Sequence, residues 1–123
     1  MSFNFRSPSE HTVDGKHYSA EMQLVTATKV KDDSTEDAND EKTVYSILSI
    51  FFDTTDGGAD ENPFLKTVFE SFDTLSTVNV ADRKAADMRK LMTSSLDLEN
   101  YWTYEGSFTT PPCDEGVTWT VLK

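Results

Sequence analysis

Cysteine occurs once in this sequence, at Cys113, so no disulfide can close within the chain. Stability has to come from a packed core, without covalent staples. Histidine occurs only twice, at His11 and His17. These two sit either side of a turn with no third ligand at a sensible spacing, which argues against an imidazole metal centre built on them. No apolar run approaches the ~18 residues that a membrane-spanning helix needs. The run from Ile47 to Phe52 is far too short and reads as a buried strand. Basic residues are also scarce: 11 Lys and Arg stand against 22 Asp and Glu, for a net charge of −11. That field favours solubility and disfavours contact with nucleic acid or an anionic membrane. No basic stretch followed by an apolar core opens the chain, so no signal peptide is read.

What is present suffices for one domain. The chain has 123 residues, of which 37% are hydrophobic and 11% aromatic. The opening Ser-Phe-Asn-Phe-Arg alternates as a strand, with Asn4 and Arg6 on one face and Phe3 and Phe5 on the other. Asp14-Gly15 predicts a tight hairpin turn. Residues 17–27 predict a strand whose apolar face carries Tyr18, Met22 and Leu24 with the neighbouring Ala20. Residues 28–42 are polar and acidic and read as a solvated loop. The clustered Asp residues there lack the glycine and terminal glutamate of a helix–loop–helix calcium site. Residues 43–52 form the best strand, β-branched, aromatic and continuous. Asn62-Pro63 predicts a helix start, followed by Phe64, Leu65, Val68, Phe69, Phe72 and Leu75 at helical spacing. A second short helix is expected within 80–92, and a final apolar strand over 116–122. Trp102 and Trp119 are expected in the core.

Two stretches carry a family resemblance. SFNFRSPSEHTVDGKHYSAEMQLV near the start and YWTYEGSFTTPPCDEGVTWTVLK at the end resemble the active-site strands of the α-carbonic anhydrases. In that family three histidines of the first stretch hold a catalytic zinc. The matching positions here are Asn4, Arg6 and Gln23. The resemblance implies an α+β fold: a central mixed, mostly antiparallel β-sheet with peripheral short helices. It covers nearly the whole chain but only the middle of the family's domain, so residues 1–123 are expected to form a single partial domain.

The resemblance also implies roles for neighbouring residues. Glu10 matches a glutamate that orients a threonine hydroxyl, Thr109 matches that threonine, and Thr110 the next residue of the substrate pocket. Glu21 matches a glutamate that backs a zinc-bound histidine. His11 and Tyr104 match a buried hydrogen-bonding pair beside it. Val25, Phe108 and Trp119 match the apolar side of the pocket. The cysteine of TTPPC bridges to an N-terminal cysteine in many secreted members, which implies ancestry in a secretory or organelle-lumen compartment. Here Cys113 is expected as a small buried thiol.

The replaced positions shape the functional expectation. Zinc catalysis needs three protein ligands and an open position for water. Amide oxygens suit harder cations, and an arginine places a fixed positive charge where a dication would sit. No metal or other cofactor is therefore expected, and Arg6 is expected beside Glu10 or Glu21 as a substitute charge. The chain is expected to be no enzyme but a structural or protein-binding subunit, with other protein subunits as partners. Two alternatives remain: capture of a small anion or small molecule in the pocket lined by Asn4, Arg6 and Gln23, or residual zinc-dependent carbonate dehydratase activity.

Overall fold

The computed structural model describes residues 2–32, 34, 40–54, 62, 63, 65, 66 and 96–123. The chain divides into two compact units, residues 1–53 with 98–123, and residues 54–97.

The first unit is built on a five-stranded sheet. Its strands are β1 (Ser2–Arg6), β4 (Ala20–Lys31), β5 (Glu41–Phe52), β6 (Tyr101–Ser107) and β7 (Glu115–Leu122), in the spatial order β1-β4-β5-β7-β6. Only β5 and β7 run parallel; the other neighbours are antiparallel. This is the mixed, mostly antiparallel sheet that the resemblance implied. Side chains alternate between faces along each strand, so directly paired residues share a face. The pairs Asn4–Gln23 and Gln23–Ser49 put those three on one face, which Arg6, Glu21, Val25, Ile47, Trp119 and Tyr104 also share. The other face carries Phe3, Phe5, Met22, Leu24, Leu48, Ile50 and Leu122. Phe5 meets Phe3 edge-on and leans against Phe52.

Both faces of the middle strands are covered. Met22, Ile50 and Leu122 are buried on one side, and Ile47, Val117, Trp119 and Val121 on the other. Burial of each large side chain contributes on the order of 2 kcal/mol, which explains why the apolar run of β5 sits in the centre of the sheet.

A two-stranded ribbon, β2 (Thr12–Val13) and β3 (Lys16–His17), turns at Asp14-Gly15. Both turn residues have positive φ, 51° at Asp14 and 77° at Gly15. That backbone twist matches the flanking strands, and Asp-Gly adopts it at low cost.

The expected loop over 28–42 is shorter than the composition suggested. Strands β4 and β5 stay paired from Thr28–Val44 out to Lys31–Glu41, and the Asp32 amide donates to the Asp40 carbonyl at 2.9 Å. β-Branched Thr28, Val30, Thr43 and Val44 favour the extended backbone. Opposite charges then meet across the ladder: Lys29 lies 3.2 Å from Glu41, and Lys42 3.4 Å from Asp32.

In the second unit, Pro63, Leu65 and Lys66 are helical. The side-chain oxygen of Asn62 accepts from the Leu65 amide at 3.2 Å, and its carbonyl accepts from Lys66 at 3.0 Å. Asn62 is thus the N-cap that the Asn-Pro pair predicted. Phe64, Val68, Phe69, Phe72 and Leu75 of the expected stripe, and the helix expected within 80–92, lie outside the described residues.

Candidate functional site

The side chains singled out in the sequence converge on one face of the sheet, around Glu21. This carboxylate is fully buried, at 0% exposure. Burial of a charge is costly unless donors surround it, and here they do. Oε2 accepts from the backbone amides of Glu10 at 2.8 Å and His11 at 2.9 Å. Oε1 accepts from His11 Nδ1 at 2.7 Å, Ser49 Oγ at 2.7 Å and Gln23 Nε2 at 3.1 Å. Burial alone pushes the Glu21 carboxyl up, but bonds from the His11 ring and amide, Ser49 and Gln23 outweigh it, lowering the pKa to about 2. Glu21 is an ionised acceptor at neutral pH.

Its charge sets the tautomer of His11. The nitrogen facing an ionised carboxylate must carry hydrogen, so Nδ1 is the protonated position of the neutral ring. Nε2 is then an acceptor, and Tyr104 Oη donates to it across 2.6 Å. Burial, followed by the negative charges of Glu21 and Glu10, pushes the Tyr104 hydroxyl above its ordinary value, which keeps that proton in place. The ring of His11 also packs edge-on against Trp119, at 5.0 Å between centroids.

Gln23 links two carboxylates. Its Nε2 donates to Glu10 Oε2 at 2.7 Å as well as to Glu21 Oε1. Two acceptors on one atom fix the orientation of the amide, since its oxygen in that place would face both carboxylates. Arg6, paired across the sheet with Glu21, places Nε 3.2 Å from Glu10 Oε1. Nε is enclosed yet off the line of a hydrogen bond, so this contact is charge against charge. Asn4 lies directly opposite Gln23 and is exposed.

Val25 and Phe108 pack on the buried cluster of Ile47, Val117 and Trp119, and Tyr45 meets Phe108 edge-on at 5.1 Å. Thr109 and Thr110 are exposed. The expected contact from Glu10 to Thr109 is not made among the described residues. Glu10 is engaged instead by Gln23 and Arg6, which lie nearer its carboxylate. The two histidines do not share a centre: His17 Nδ1 faces the Ser9 carbonyl at 2.6 Å.

Two other expectations are corrected. Cys113 is exposed rather than buried, lifted outward in a turn where its φ is 63° and its amide donates to the Thr110 carbonyl. Trp119 is core, but Trp102 is 43% exposed because it lies on the edge strand β6, with Lys123 Nζ 4.7 Å above its ring. Sequence reasoning missed Ser49. A serine inside the apolar run of β5 was the available signal, because a buried hydroxyl there needs a polar partner.

Zinc, implied by the resemblance, takes imidazole nitrogen, thiolate or carboxylate. The side chains at this place are an amide that donates to two carboxylates, an arginine and an asparagine. As arranged, this set does not fit zinc.

The model of the eukaryotic-type carbonic anhydrase family matches residues 2–123. The chain belongs to that family. Carbonic anhydrase 1 of Mus musculus is 40% identical over 119 residues, covering 94% of this chain and 42% of that protein. Dioscorin DB3L of Dioscorea polystachya is 33% identical over 122 residues, covering 98% of this chain and 38% of that protein. The α-carbonic anhydrase of Thermovibrio ammonificans, solved with the inhibitor sulfanilamide, superimposes with a TM-score of 0.61 at 32% identity. It covers 98% of this chain and 45% of that one. The chain therefore spans less than half the length of these carbonic anhydrase relatives. The expectation of a chain that is no enzyme is overturned here: its family is that of the carbonic anhydrases, and the relatives that bear that name are enzymes. The match runs from residue 2 to 123, so what it shows is membership of an enzyme family.

Proposed function

We propose that this carbonic anhydrase family chain serves as a structural, protein-binding subunit of a larger assembly, and that it docks through strand β6. The observation that carries the reading is the exposure of large side chains on and beside that edge strand. Tyr101 is 52% exposed, Trp102 43%, Tyr104 43% and Leu98 46%. Tyrosine and tryptophan bring large contact area at low entropic cost and are enriched where proteins meet. Among the described residues β6 has a strand on one side only, and an unpaired edge with exposed aromatics invites another chain. The net charge of −11 favours a partner with a basic rim.

The test is native electrophoresis of the tagged chain from its own source cells, beside the double variant Trp102→Glu, Tyr101→Lys. The reading expects a discrete complex well above the 13.8 kDa chain mass, and its loss in the variant with the fold unchanged by circular dichroism. A wild-type chain running alone, or a variant that keeps the complex, overturns it.

A second reading is favoured by family membership alone: hydration of dissolved carbon dioxide, the activity borne in its relatives' names. Stopped-flow hydration by the same preparation, with and without a zinc chelator, decides it.

A further inference from the structure

We infer that Arg6 is the built-in counter-ion of the cleft: its guanidinium balances the Glu10–Gln23–Glu21 chain, so that this cluster is complete without a divalent cation. The inference does not depend on the docking role of β6.

The charges can be counted from the contacts. Glu10 and Glu21 are joined through one amide nitrogen of Gln23, at 2.7 and 3.1 Å. An amide supplies hydrogen bonds but no charge, so two carboxylates held on one group repel each other. Glu21 is relieved by five donors, the backbone amides of Glu10 and His11 among them. Glu10 has no such cage. What it has is Arg6, with Nε 3.2 Å from Oε1. Side-chain exposures of 31% for Arg6 and 33% for Glu10 place the pair at the mouth of the cluster, where water partly screens it.

The register of the sheet explains why this arginine reaches that glutamate. Arg6 pairs with Glu21 across β1 and β4, and Glu21 holds the Glu10 amide. Glu10 is therefore drawn back over the end of β1, four residues after Arg6. A dication at the same place would have to displace a fixed positive charge, and Arg6 cannot release its proton to make room.

Zinc chloride and calcium chloride serve as probes, with EDTA as control, and the readout is the melting temperature of the full chain. Wild type is expected to melt at one temperature with either cation or with EDTA. Arg6→Ala is expected to melt about 2–4 °C lower, the scale of a partly screened ion pair in a domain of this size. Either cation should restore part of that loss, since an ion that binds only the folded state stabilises it. Arg6→Lys keeps the charge and should show neither the full loss nor the rescue. If Arg6→Ala fails to fold, Arg6→Gln keeps the bulk of the side chain and carries the same expectation. Zinc retained stoichiometrically by dialysed wild type overturns the inference. So does a wild-type melting temperature that moves with zinc or EDTA, or an Arg6→Ala protein as stable as wild type and indifferent to cations.

Discussion

Glu21 and His11 are joined twice, by the ring Nδ1 to Oε1 at 2.7 Å and by the backbone amide to Oε2 at 2.9 Å. The double link ties strand β4 to the segment that leads into the β2–β3 ribbon. It also fixes the imidazole so that its far nitrogen meets Tyr104 on the opposite edge of the sheet. One buried carboxylate thereby connects segments that are distant in the sequence.

Acid stability should report that carboxylate. The Glu21 pKa falls from 4.5 to about 2 in the folded chain. A lowered folded value means that this group's stabilisation is fully present above the unfolded pKa and is lost as pH falls through the folded one. The shift corresponds to on the order of 3 kcal/mol, lost progressively from about pH 5 down to about pH 2. Urea unfolding at several pH values should show this slope in wild type, and Glu21→Gln should flatten it while losing stability at pH 7. An unchanged slope in the variant would refute the assignment.

Gly106 is required by a ring, not by its own backbone. A Cβ there would lie 2.9 Å from Tyr104 Cε2 and 3.2 Å from Trp119 Cδ1. Tyr104 stacks on Trp119 with their planes 3° apart, and both rings are anchored elsewhere. Gly106→Ala should therefore cost about 1–3 kcal/mol, as overpacking does, with a weaker Tyr104–His11 contact. Denaturant unfolding measures the loss.

The two tryptophans should behave as opposites. Trp119 is 1% exposed and Trp102 43%. Trp119→Ala is expected to lose about 3–5 kcal/mol, whereas Trp102→Ala should lose under about 1 kcal/mol. Acrylamide quenching of single-tryptophan variants provides an independent check: the variant retaining Trp102 should quench readily, and the one retaining Trp119 should not.

Amide exchange tests the long ladder. Residues 28–31 pair with 41–44 although their composition reads as loop. Their ladder amides should exchange more slowly than an unstructured chain and faster than those of Met22 or Ile50. Val30→Pro removes a backbone donor and should abolish protection in 28–31 while sparing the sheet centre.

The sequence carried the sheet better than it carried its margins. Alternation in Ser2–Arg6, the apolar run of β5 and the Asp14-Gly15 turn were legible because period and turn chemistry act locally. The ladder from 28 to 31 was not, since strand pairing there outweighs a polar composition. Trp102 was misplaced because an aromatic on an edge strand reads like one in the core; only strand order separates the two. In the cleft, the approach of Arg6 to the Glu10–Glu21 pair could be argued from charge. The bridge that Gln23 makes between them could not, because it depends on which carboxylates lie within reach of one amide. Family resemblance suggested that Glu10 would meet Thr109, and contacts closer to Glu10 replaced that one.

The Gln23 bridge is the centre of this account, and side-chain amide NMR observes it directly. Both Nε2 protons of Gln23 should resonate apart from solvent-exposed amides, exchange slowly, and show proximity to Glu10 and Glu21. They should hold their positions when zinc chloride is added. Rapid exchange, or a shift of those two signals that follows the added zinc, would contradict it.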